Sequence, residues 1–179
     1  VNIDVDGQHF NSVGNRSIDV WDGEPEGVYV PTDTKVCFEC LTDTAEIFIA
    51  GAKYEKVLEP FVIRPQDIDL VQYGSDDTKT HRKIKHILGA NQRDKVGRLL
   101  VSELYTVGSG GWSGFPSHKH DTDRMPKETR HDETYNFRFK PNYGSGLQML
   151  QREDNKLGDA YHIMDLSLIH ISEPTRRPI

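Results

Sequence analysis

Two histidines separated by one residue, His118 and His120, stand in the segment Phe115-Pro116-Ser117-His118-Lys119-His120-Asp121. On a β-strand, residues two apart point to the same face and lie about 6.6 Å apart at a rise of ~3.3 Å per residue. Two imidazoles at that spacing can converge on one ion at ~2.0–2.1 Å, which a helix could not arrange from positions i and i+2. Thirteen residues after His120, Glu133 opens an alternating run. Glu133, Tyr135, Phe137 and Phe139 would share one face of a strand over 133–139, with Thr134, Asn136 and Arg138 on the other. A carboxylate on that aromatic, inward face is costly to bury unless something pairs with it. A metal held by the two histidines is a partner of the right charge, so His118, His120 and Glu133 are the expected ligands. The alternative is a surface H-x-H pair with Glu133 turned outward by a one-residue slip of register. His131 and Asp121 are expected as outer partners that orient an imidazole. His9, His81 and His86 lack such a pattern.

The elements that must hold these residues read as short strands. Turn residues recur every several positions, and long 3.6-residue periodicity is scarce, so the fold class expected is all-β, a barrel or sandwich. Strands are expected at 1–6, 27–31, 35–41, 45–50, 61–63, 68–73 and 99–107. A turn over Thr42-Asp43-Thr44 would join the third and fourth of these into a hairpin. Residues 75–97 read as a polar connection, with a short strand at 84–88. The basic cluster at 80–86 within it is a solvated face or a rim for an anionic small molecule. The Gly-rich stretch at 108–114 is a flexible turn and no dinucleotide fingerprint, since Trp112 to Pro116 cannot open a helix.

Composition limits the partners. The 179 residues carry 22 Lys+Arg against 28 Asp+Glu, a net charge of −6, which disfavours nucleic acid. No run approaches the ~18 apolar residues of a membrane span. The two cysteines, Cys37 and Cys40, fall on a strand-like stretch where residues three apart face opposite ways, so buried, reduced thiols and a cytoplasmic location are expected.

Several longer motifs resemble one family. Glu103-Leu104-Tyr105-Thr106, Gly111-Trp112-Ser113-Gly114-Phe115-Pro116-Ser117-His118-Lys119-His120-Asp121, Asp132-Glu133-Thr134-Tyr135, Gly144-Ser145-Gly146-Leu147-Gln148 and Asp159-Ala160-Tyr161 are similar to the C-terminal half of 5-deoxy-glucuronate isomerase, the IolB type of the KduI/IolB bicupin family. Val28-Tyr29-Val30-Pro31 and Ala45-Glu46-Ile47 extend the resemblance into the first half, so that it covers essentially residues 1–165. It implies two cupin barrels: an N-terminal half without metal ligands over 1–78, a connector over 79–98 and a metal-binding half over 99–165 with its barrel incomplete. It implies a divalent ion, zinc or manganese, on His118, His120 and Glu133. The implied reaction is aldose–ketose isomerisation in inositol catabolism, taking 5-deoxy-D-glucuronate to 5-dehydro-2-deoxy-D-gluconate, with a small sugar acid as the partner and room for a homo-oligomer. Glu133 is a weak candidate for the base, because a metal-bound carboxylate accepts a proton poorly. For the substrate carboxylate, Arg124 and Arg138 stay open, and Lys119 points away from the two histidines. The family places a fourth ligand in a later Gly-x-His-Pro turn that has no counterpart here, since His162 precedes that place. Residues 166–179, His170 included, resemble a translated sequencing adapter, so a parent longer at both ends and an inactive fragment are the expectation. Other cupin readings are a dioxygenase-like metalloenzyme, separable by its dependence on oxygen, and a non-catalytic sugar-binding protein.

Overall fold

The computed structural model describes residues 1–17, 19–114, 116–151, 157–164 and 171–172. Among the described residues there are twelve short β-strands and two single-turn 3-10 helices, Pro65–Asp67 and Ala90–Gln92, so the class is all-β as the turn spacing implies. The chain divides into two compact units, Val1–Pro116 and Ser117–Ile179. No helix among the described residues is long and apolar enough to cross a membrane.

In the first unit, β1 (Asn2–Val5) and β2 (Gln8–Phe10) form a hairpin in which Val5 pairs with Gln8 across the two-residue loop Asp6-Gly7. Both loop residues have positive φ, 47° and 89°, the conformation that Asp-Gly adopts at least cost and that matches the twist of the flanking strands. The other edge of β1 pairs with β4 (Val36–Glu39), giving the order β2-β1-β4. The alternation of β1 turns Ile3 and Val5 inward, where they join Phe10 and Val13 in one core cluster. A second cluster gathers Tyr29, Ile63 and Leu88. Tyr29 comes from β3 (Gly27–Tyr29) and Ile63 from β5 (Phe61–Ile63), two strands that pair antiparallel.

The third sheet has the order β6-β7-β8, from β6 (Asp69–Tyr73), β7 (Arg82–Leu88) and β8 (Val101–Thr106). Its central strand lies within the stretch expected as a connector, so the basic cluster is part of a ladder. Lys85 there pairs with Glu24 at 2.7 Å and its Nζ lies 5.2 Å from the Tyr105 ring centre. β8 alternates strictly, with Val101, Glu103 and Tyr105 turned toward the interior. Arg16 supplies the counter-charge for the inward Glu103, donating two parallel bonds of 2.6 and 2.7 Å to its carboxylate.

Two expectations are corrected in this unit. Residues 45–50 form no strand, and Ile47, Phe48 and Ile49 are exposed, because alternation alone does not supply a neighbouring edge with which to pair. Cys37 and Cys40 are free, as expected of reduced thiols, but exposed rather than buried: β4 is covered only at its start, by Val36, and its later residues face outward.

In the second unit, β9 (Thr134–Tyr135) pairs with β12 (Ile171–Ser172), and β10 (Ser145–Gln151) pairs with β11 (Leu157–Met164). Among the described residues these are two separate two-stranded ribbons, and Leu147 and Met149 on β10 are exposed. Apart from Ile171 and Ser172, the tail expected over 166–179 lies outside the described residues, His170 with it.

Candidate metal centre

The segment from 120 to 131 folds back on itself like a hairpin, and that return places the site. His131 N–H donates to the His120 carbonyl at 3.0 Å, Arg130 N–H donates to Asp123 Oδ1 at 2.8 Å, and Arg124 and Glu128 form a bridge at the tip. Residues His118 to His120 are therefore in an extended loop rather than a strand, and β9 begins only at Thr134. The expected strand over 133–139 is reduced to two residues. The histidines and Glu133 are nevertheless brought together, by the loop's cross-links instead of by a sheet face.

Three donors converge. Nitrogens of His120 and His131 and a carboxylate oxygen of Glu133 lie within 4.8 Å of one another. Glu133 Oε1 is 3.7 Å from His120 Nε2 and 3.2 Å from His131 Nε2. The His120 and His131 rings stack at 4.3 Å between centres, with 22° between their planes. His118 stands edge-on to His120, ring centres 5.1 Å apart, and lies outside the three-donor group. Ligand atoms ~2.1 Å from one tetrahedral ion stand about 3.4 Å apart, so both measured separations are near those of a shared ion. Two imidazoles and one carboxylate are also a suitable donor set for a borderline divalent metal. The residues present fit the group the family would carry.

The surroundings orient these donors. The Tyr135 hydroxyl donates to Glu133 Oε2, leaving Oε1 to face the imidazoles. His131 Nδ1 donates to the Thr129 carbonyl at 3.0 Å. A ligating imidazole is commonly held in this way, with its second nitrogen bonded to an acceptor. Asp121 does not serve that purpose: it takes the Lys119 ammonium at 2.8 Å and the Thr122 hydroxyl, and these hold its carboxyl below the usual range. Lys119 is thus engaged beside the site. Arg124 is engaged with Glu128 at 3.7 Å. His131, expected as an orienting partner two residues before Glu133, lies with His120 and Glu133 in the three-donor group.

The KduI/IolB family profile matches residues 1–178. The chain belongs to the KduI/IolB family. Among its relatives are proteins named 5-deoxy-glucuronate isomerase: one from Bacillus licheniformis, 31% identical over 85% of this chain and 54% of that protein, and one from Bacillus subtilis strain 168, 30% identical over 84% and 54%. A crystal structure of an IolB-like protein from Salmonella typhimurium LT2 superposes with a TM-score of 0.73 at 25% identity, over 92% of this chain and 60% of that one. The all-β fold is therefore that of an IolB-like protein, and the chain spans about half the length of the curated relatives it matches.

Proposed function

We propose that the full-length KduI/IolB protein is a divalent-metal aldose–ketose isomerase of inositol catabolism, converting 5-deoxy-D-glucuronate to 5-dehydro-2-deoxy-D-gluconate in the cytoplasm. The observation that carries this reading is the convergence of His120 and Glu133, with His118 beside them, in a chain whose relatives bear the isomerase name. His118, His120 and Glu133 are the residues that hold the ion, zinc or manganese. When bound, such an ion would polarise a carbonyl oxygen and so acidify the proton on the neighbouring, hydroxyl-bearing carbon. The chain's own part is positional. Tyr135 fixes the Glu133 carboxylate so that one oxygen faces the imidazoles, and the loop cross-links fix the spacing of the imidazoles themselves. An aldose and its ketose interconvert by moving one proton from C2 to C1 and one from the C2 hydroxyl to the C1 oxygen, so orientation of the two oxygens is the main demand on such a site.

Substitution tests the reading. His118→Ala and His120→Ala in the full-length protein should each lower ketose formation by at least ~100-fold, the scale on which metal-site residues act. Turnover unchanged in both would remove the metal from the reaction.

A further inference from the structure

We propose that His131 is itself a metal ligand through Nε2, an additional donor beside His118, His120 and Glu133; the proposal rests on the metal-centre reading above. A carbonyl oxygen only accepts, so the 3.0 Å contact with Thr129 requires the proton on His131 Nδ1. In the neutral ring Nε2 is then a bare lone pair, yet it lies 3.2 Å from Glu133 Oε1, which is also only an acceptor when ionised. The opposite tautomer moves the conflict to Thr129 without removing it. A proton on Nε2 or an ion on it would each resolve that conflict, and the third donor decides between them.

A second imidazole points the same way. His120 Nε2 is 3.7 Å from the same oxygen, and the His120 and His131 rings lie stacked, so both nitrogens and Oε1 surround one point. A proton can be shared by two of these atoms, whereas a divalent ion can be shared by all three. Tyr135 occupies the other Glu133 oxygen, which leaves Oε1 as a single-atom ligand. The backbone bond from His131 to the His120 carbonyl sets the ring spacing before any ion arrives.

The test is zinc binding by the full chain, read by the nitrogen-15 resonances of the histidine rings and by titration calorimetry. With zinc, His131 Nε2 should move to the position of a metal-bound nitrogen while Nδ1 keeps its proton. His131→Ala should weaken zinc binding by at least ~100-fold, with an unchanged far-ultraviolet circular dichroism spectrum, beyond the 10–100-fold typical of an orienting partner. Zinc binding that shifts His120 but leaves His131 Nε2 unmoved, or that survives His131→Ala at full affinity, would overturn the proposal and leave the functional reading intact. Failure of the unsubstituted full-length protein to bind zinc or manganese would overturn both.

Discussion

Arg16 and Glu103 are far apart in sequence, and their contact should be among the strongest single determinants of stability in the first unit. Their side chains are 18% and 21% exposed, and the guanidinium meets the carboxylate by two bonds of 2.6 and 2.7 Å. Glu103 Oε2 also accepts the Tyr105 hydroxyl at 2.7 Å. Arg16→Met keeps most of the stem's packing and removes both charge-assisted bonds. It leaves a carboxylate four-fifths buried with one remaining protein donor. Bonds to charged groups contribute ~1.5–3 kcal/mol each, and breaking a fully buried pair costs about 3–5 kcal/mol. Water can reach the exposed fifth of Glu103, so a loss of about 2–3 kcal/mol is expected, below the fully buried figure. The two tryptophans of the chain, Trp21 and Trp112, both belong to the first unit, and Trp21 packs edge-on against Tyr105 at 5.7 Å, so tryptophan fluorescence follows this region. In a urea titration with a slope near ~2 kcal/mol/M the midpoint should fall by about 1 M or more. A cycle with Glu103→Gln should give a coupling energy of about 1–2 kcal/mol, since each substitution removes the same interaction. A midpoint moved by less than ~0.25 M, or strictly additive effects, would show that the pair forms without contributing, as exposed ion pairs often do.

Other consequences can be checked with the same unfolding assay. Burial, and then the bond to Glu103, raise the Tyr105 hydroxyl well above its ordinary pKa. Its neutral form is thus favoured in the folded chain, so its contribution is complete below about pH 10 and declines as pH rises further. Tyr105→Phe should flatten the stability profile above pH 10, and an unchanged slope would contradict that assignment. Gly74 has φ of +74°, and an added Cβ would lie 2.2 Å from the Thr80 carbonyl oxygen. Gly74→Ala should therefore lower the melting temperature by several degrees, about 2 kcal/mol or more. Gly7→Ala, with positive φ but open space, should cost only about 1 kcal/mol. Equal effects at the two positions would remove the steric part of the argument. Val5 is 2% exposed in the first core cluster, and Val5→Ala should cost about 2–3 kcal/mol by urea titration, whereas a loss under ~1 kcal/mol would mean the cluster collapses around the gap.

The parts of the fold that were legible in the sequence are those written in local rules. Gly7 ended the strand expected over 1–6, though β2 beyond it was not expected, and Phe61–Ile63 stood out as an apolar triplet between turn residues. Residues 45–50 carried the same kind of apolar signal but form no strand, since a strand also needs an edge, and edge supply is a property of the whole sheet. β7 was underestimated for the opposite reason: His81, Arg82, Lys83 and Lys85 look like a solvated run. Glu24, Glu103 and Tyr105, which accommodate that charge, are scattered along the chain. At the site, the sequence named His118, His120 and Glu133, of which the structure groups His120 and Glu133 with His131, and the means of assembly was not legible. The i, i+2 argument presumed a strand, and the structure uses a looped return whose cross-links, His131 to His120 and Arg130 to Asp123, have no periodicity to read. That return is also what advances His131 from a neighbour of Glu133 to a member of the donor group.

Whether a divalent ion at this site is needed for isomerisation is decided by ketose formation by the full-length protein from 5-deoxy-D-glucuronate before and after exhaustive chelation. Chelated protein should lose turnover while keeping its β-sheet circular dichroism spectrum, and added zinc or manganese should restore it. Turnover that persists in protein shown to be free of metal would mean that the ion has no part in the reaction.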